Sequence, residues 1–113
     1  MTRRNIIFKD NSTGKLYMTP EYNGDKTEFE RIQSMDSCSL DWDEIMARNF
    51  NSITTLQDFR RANIIAQRHY NSFLDDVVGR CPLPIHEIIN TNEIKNDEVY
   101  LIDNGVITKI FEW

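Results

Sequence analysis

The stretch that decides the fold of this chain is residues 54–79, TTLQDFRRANIIAQRHYNSFLDDVVG. Thr54 and Gln57 form a capping box at its start, and Gly79 is a natural helix stop at its end. A helix over about residues 55–78, at about 1.5 Å per residue, is roughly 36 Å long, which matches the width of a small domain. We therefore predict one long helix that crosses the whole domain.

A helical wheel at about 100° per residue gives this helix one apolar stripe. The stripe contains Leu56, Phe59, Ala66, Tyr70, Phe73, Leu74 and Val77. Arg61 and Arg68 lie almost opposite the stripe, and Ile64 and Ile65 flank them. Isoleucines on this second side need an explanation, because the outer side of a surface helix is usually polar.

Two interpretations of these isoleucines stay open from the sequence. In the first, other elements cover this side of the helix, and the arginines extend along it to reach acidic residues. In the second, Arg61, Ile64, Ile65 and Arg68 form an exposed patch that binds another protein, since apolar side chains framed by arginine are common in interfaces. A homodimer through this side is compatible with both interpretations.

Each end of the chain has the pattern of a β-hairpin. Turn-forming residues separate apolar stretches at residues 5–9 and 15–19, and again at residues 99–102 and 106–111. One isolated hairpin is only marginally stable in water. We therefore expect both hairpins to join in one antiparallel sheet.

The second hairpin has the clearer turn. Asn104 and Gly105 are the residue types that adopt the two positive φ angles of a type I′ turn. A two-residue turn at this position places Ile102 opposite Ile107 and Val99 opposite Ile110.

Further helices are expected between the hairpins. Asp25 and Glu28 form a capping box for a first helix, a second helix starts near Ser39, and residues 85–90 favour a short helix over a strand. The predicted fold class is α+β. Residues 1–113 form a single domain, in which N- and C-terminal hairpins make one antiparallel sheet packed by three to four central helices, including the long one.

The charge distribution favours a protein partner over a nucleic acid. The net charge is −5, and residues 21–58 carry nine acids against three bases. Nucleic-acid affinity rests on neutralising phosphates, so an acidic balance weighs against it. The alternative remains a nucleic-acid-binding module, whose contacts would be Arg3, Arg4, Lys9, Lys15 and Arg60.

Catalytic and metal-binding signals are weak. The two cysteines and two histidines, Cys38, Cys81, His69 and His86, are zinc-ligand types, but their spacing fits no short zinc motif. A second alternative is a small nuclease or hydrolase in which His69 or His86 transfers protons. The sequence therefore predicts no metal and no cofactor, and it favours a non-enzymatic protein.

Composition suggests where such a protein acts. Asn and Ile are abundant and Ala occurs at only three positions, a usage common in AT-rich genomes such as those of many bacteriophages. No secretory signal and no membrane-length apolar run is present, which predicts a cytoplasmic protein. We predict a small phage-type accessory factor that binds, and modulates or inhibits, a host or defence protein.

Overall fold

A computed structural model gives the structure of residues 2–24, 42–70, 84–94 and 96–112. These residues form a mixed β-sheet with two α-helices packed on one face. The strands are β1 (Thr2–Asp10), β2 (Lys15–Met18), β3 (Tyr22–Gly24), β4 (His86–Ile88), β5 (Glu98–Asp103) and β6 (Val106–Glu112). The helices are α1 (Trp42–Asn49) and α2 (Leu56–Tyr70), and a 3₁₀ turn at Thr91–Glu93 precedes β5.

The expected all-antiparallel sheet is wrong, because the two ends of the chain meet through parallel strands. The strand order is β4-β2-β1-β5-β6, with β3 paired to the start of β1. β1 is antiparallel to β2, β5 is antiparallel to β6, and β1 runs parallel to β5. A parallel pair needs a long crossover connection, which the chain between β2 and β5 provides. The continuous apolar run Ile6-Ile7-Phe8 fits this central position, since each of the three side chains is buried.

The turn between β5 and β6 follows the sequence prediction, but the register beyond it does not. Asn104 has a φ of 53° and Gly105 a φ of 82°, as a type I′ turn requires. Ile102 pairs with Ile107, which is confirmed. Val99 pairs with Phe111 and not with Ile110, because a β-bulge shifts the register between Val99 and Tyr100.

The helix predictions are wrong in number and detail. The described residues contain two α-helices, where three to four were expected. α2 begins at Leu56, and its cap is Thr55, whose Oγ1 accepts a 3.1 Å hydrogen bond from the Asp58 N–H. The expected continuation of α2 to residue 78 and the expected helix from residue 25 lie outside the described residues.

The segment expected to form a short helix at residues 85–90 contains strand β4 instead. His86–Ile88 pairs antiparallel with β2, and Leu16 lies opposite Ile88. The sheet edge supplies the backbone hydrogen bonds that a short helix would have made internally. Three residues are too few to show a strand periodicity in the sequence.

The hydrophobic core lies between the sheet and the two helices. Phe8 of β1 stacks on Phe59 of α2 with ring centroids 5.2 Å apart, and Ile45 of α1 is fully buried. Each buried side chain of this size stabilises the fold by about 1.5–3 kcal/mol. Among the described residues, no helix is long and apolar enough to cross a membrane.

The core-facing side of α2 also carries polar residues that the helical wheel did not select. Asn63 and Gln67 are buried, and the Gln67 amide donates a 2.9 Å hydrogen bond to Asn63 Oδ1. The Tyr22 hydroxyl of β3 donates to the same oxygen at 3.1 Å. Burial raises the pKa of Tyr22, so this hydroxyl stays a donor. These bonds fix the orientation of α2 against the sheet and so define which side faces outward.

Candidate functional site

The outward side of α2 exposes two large apolar side chains. Ile64 is 41% exposed and Ile65 is 36% exposed, whereas Phe59, Ala62 and Ala66 of the same helix are buried. Arg61 is exposed on the same side. We call Arg61, Ile64 and Ile65 the outer face of α2. Arg68, the fourth predicted residue, occupies a position of α2 two turns after Arg61, and its side chain lies outside the described structure.

Positive charge surrounds this face. Arg60 and Arg61 are exposed on α2, and Arg48 is exposed at the end of α1. Arg61 Nη1 lies 4.0 Å from Asp58 Oδ1, and Arg48 Nη2 lies 3.8 Å from Glu44 Oε2. Exposed pairs of this length contribute little to stability and hold the arginines loosely. The guanidinium groups are therefore accessible to a partner.

A groove of about 250 Å³ runs beside the outer face of α2, toward α1. Arg48 and Arg61 line it together with the apolar side chains of Ile53, Ala62 and Ile65. The loop between α1 and α2, residues 50–55, contributes Asn51, Ser52 and Ile53 to its lining. The groove thus combines two cations, one carboxylate from Asp58, and both polar and apolar side chains.

Two features of the groove lining are unfavourable for stability. Asn49 Nδ2 is buried and has no hydrogen-bond partner among the described residues, at a typical cost of about 1–3 kcal/mol. Ser52 adopts a left-handed backbone with a φ of 58°, which costs a non-glycine residue about 1–3 kcal/mol. Such costs concentrate at binding sites more often than in purely structural loops.

Four of the five basic residues predicted for nucleic-acid contact are paired with acids, and the fifth, Arg60, is exposed on α2. Arg4 is 6% exposed, and its Nε lies 2.7 Å from Glu98 Oε1, so it is not available to a phosphate. The other three have carboxylates within 4 Å: Arg3 with Glu21 and Asp97, Lys9 with Asp103, and Lys15 with Glu87. The first hairpin therefore offers little uncompensated positive charge.

The Arg4–Glu98 pair belongs to a polar cluster that fastens α1 to the sheet. Glu98 also accepts a 2.7 Å hydrogen bond from the Tyr100 hydroxyl, and Trp42 Nε1 donates to that hydroxyl at 3.3 Å. The Arg4 guanidinium lies 4.9 Å from the centre of the Trp42 ring. Burial raises the pKa of Glu98, but the hydrogen bonds from Tyr100 and Arg4 and the charges of Arg4 and Lys109 outweigh it, so the pKa lies below its ordinary value. We interpret this cluster as structural.

The structure describes one of the four side chains suggested for catalysis or zinc binding, that of His86. His86 is exposed on edge strand β4, while Cys38, Cys81 and the side chain of His69 lie outside the described structure. In the parts of the chain that the structure describes, no three His, Cys, Asp or Glu residues are grouped to hold a metal ion.

Comparison of the chain with family models, curated proteins and solved structures finds no match. The functional argument therefore rests on the molecule itself. Its fold and surface define an α+β protein with one arginine-framed apolar helix face beside a groove.

Proposed function

We propose that this protein is a non-enzymatic binding protein that recognises another protein through the outer face of α2. The observation that carries the proposal is the exposure of Ile64 and Ile65 beside Arg61. A single exposed apolar residue is common on protein surfaces and needs no explanation. Two adjacent isoleucines beside an exposed arginine have the composition of an interface centre, where isoleucine supplies buried area and arginine directional hydrogen bonds.

The rigid support of this face favours the same function. The buried side of α2 is held by Phe59 packing on Phe8 and by the hydrogen bonds among Tyr22, Asn63 and Gln67. A pre-organised helix loses little conformational freedom when it binds, so more of the contact energy appears as affinity.

A small phage-type accessory factor that modulates or inhibits a host or defence protein remains our proposal for the biological role. The small size and the Asn- and Ile-rich composition support it. The nucleic-acid alternative is weaker, because the four basic residues near the N-terminus have acidic partners within 4 Å.

The test compares Ile64→Asp/Ile65→Asp with Ile89→Asp. Ile89 follows β4 and is 86% exposed, so its substitution controls for adding a carboxylate to a surface isoleucine. We expect wild type and Ile89→Asp to capture the same partner, and the double variant to lose it while keeping its circular dichroism spectrum. Loss of fold in the double variant would show that these residues belong to the core, and the proposal would fail.

The occupant of the face can also be a second copy of the chain. Light scattering at several protein concentrations and two salt levels distinguishes the two cases. A dimer that Ile64→Asp/Ile65→Asp converts to monomer assigns the outer face of α2 to self-association. If the wild-type protein is a monomer at all concentrations, the result supports another protein as the occupant of the outer face of α2.

A further inference from the structure

We infer that the groove beside α2 binds an acidic segment of the partner protein, with a Glu or Asp carboxylate between Arg48 and Arg61 and a neighbouring apolar side chain on Ile65. This inference rests on the proposed function and specifies the chemistry of the partner. The occupant is a peptide segment of another protein, which reaches the groove when that protein covers the outer face of α2.

The charges of the groove argue for a carboxylate. Arg48, Arg61 and the carboxylate of Asp58 line it, so positive charge exceeds negative by one, and the side chain of each arginine is 65% exposed. Their own helices offer carboxylates only at 3.8 Å and 4.0 Å, whereas a charge-assisted hydrogen bond is about 2.7–2.9 Å long. The guanidinium N–H groups therefore keep donors for a ligand carboxylate, which their planar geometry fits in a bidentate manner.

Asn49 adds a second and independent observation. It lines the groove, and its buried Nδ2 has no hydrogen-bond partner within the described parts of the chain. Nearly all buried side-chain donors in folded proteins have an acceptor. A carboxylate or backbone carbonyl in the groove supplies the missing acceptor, and Asn49 then recognises the ligand together with the two arginines.

The apolar lining selects a peptide over a nucleic-acid phosphate. The exposed Ile65 lies at the groove beside the buried Ile53 and Ala62, and the apolar side chain next to a glutamate in a peptide can cover it, whereas a phosphodiester has no such side chain. Ile65 belongs both to the groove and to the outer face of α2, so one continuous partner surface contacts both. The overall charge of −5 also disfavours a polyphosphate ligand.

The experiment titrates the isotope-labelled full chain with the capped peptide Gly-Leu-Glu-Leu-Glu-Gly and follows amide and arginine Nε signals by NMR. We expect shifts of the Asn49 side-chain amide and of the Nε of Arg48 and Arg61. The same peptide with glutamine in place of glutamate should bind at least about tenfold more weakly, since the charge-assisted hydrogen bonds are lost.

Matched variants separate the groove from general electrostatics. Arg48→Gln/Arg61→Gln should weaken binding of the glutamate peptide by about tenfold or more, whereas Lys9→Gln/Lys15→Gln, which removes the same charge elsewhere, should leave it unchanged. Unfolding temperatures of both variants check that the fold is intact.

Three outcomes would overturn the inference. These are equal binding of the two peptides, shifts confined to residues away from the groove, and tighter binding of a short oligothymidylate than of the glutamate peptide at the same residues. If the peptide titration fails while partner capture still depends on Ile64 and Ile65, the groove inference falls and the proposed function stands. If capture does not depend on Ile64 and Ile65, the proposed function is wrong, and the groove inference that rests on it is wrong as well.

Discussion

Among the described residues, Asn49 has a buried side-chain donor with no hydrogen-bond acceptor. This donor, Nδ2 at the end of α1, costs about 1–3 kcal/mol of stability because it is buried without an acceptor. Residues that reduce stability without a structural benefit are often retained for function. In the binding that we propose for the groove, Asn49 therefore contributes both to the stability of the protein and to ligand recognition.

We predict opposite effects of Asn49→Leu on stability and on binding. Removing the unsatisfied donor should stabilise the fold by about 1–2 kcal/mol, because the desolvation cost of the amide disappears. Binding of the partner, or of the glutamate peptide, should become weaker. Urea unfolding and a binding titration on the same samples check this. A variant that is both less stable and unchanged in binding would show that the amide is structural.

Glu98 is a partly buried carboxylate whose ionisation makes stability depend on pH. Its pKa in the folded protein lies below the ordinary value of 4.5, since hydrogen bonds from Tyr100 and Arg4 outweigh the effect of burial. A lowered folded-state pKa means that the carboxylate stabilises the fold above the ordinary pKa. This contribution is lost as the pH falls through the folded-state value.

The variant Glu98→Gln tests this account of the polar cluster. At neutral pH it should lower the free energy of unfolding by about 3 kcal/mol, because the buried Arg4 loses its charged partner. The difference from wild type should shrink as the pH falls below 4.5, where the wild-type carboxylate also becomes neutral. Urea unfolding at a series of pH values measures it, and a difference that stays constant with pH would contradict the assignment.

Among the elements, the β5–β6 hairpin has a turn that local sequence determines and a β-bulge that tertiary structure determines. Its turn follows from Asn104 and Gly105 alone, since few residue types adopt positive φ. The β-bulge between Val99 and Tyr100 has no local signal, because it depends on how β6 adjusts to β5 within the sheet. The bulge leaves Ile110 partly exposed, at 39%.

Gly105→Ala should destabilise the protein by about 1 kcal/mol, because the position has a φ of 82° that alanine rarely adopts. The added Cβ would lie 3.5 Å from Thr54 Cγ2, an ordinary contact, so the cost is in the backbone and not in a clash. Asn104→Gly, at a φ of 53°, should be nearly neutral and serves as the control. Equal effects of the two substitutions in urea unfolding would rule out this explanation.

Other elements were less predictable for the same physical reason. β4 has three residues, and its partner β2 lies about seventy positions earlier in the chain, so no short window contains the pairing. The parallel pairing of β1 with β5 likewise depends on the path of the whole chain. The unbroken run of buried residues Ile6, Ile7 and Phe8 is typical of a central strand. The sequence pattern predicts this run to be one arm of a terminal hairpin and so does not reveal its central position.

At the scale of the whole molecule, an acidic protein presents one basic and apolar helix face. Sequence periodicity was enough to place Arg61, Ile64 and Ile65 on the side of the helix away from its apolar stripe, because a helical wheel needs only local spacing. It could not reveal the groove, which forms where the end of α1 and the following loop approach α2. The alternative nucleic-acid hypothesis included Arg4 because its acidic partner, Glu98, lies 94 positions away in the sequence.

The most direct test of the central claim places a photo-crosslinking amino acid at position 64 or 65, and at position 89 as the control, in the cells that make the protein. If the outer face of α2 is the binding surface, irradiation should yield one discrete crosslinked species from positions 64 and 65 and none from position 89. Crosslinks from position 89 alone, or from none of the three positions, would contradict the account.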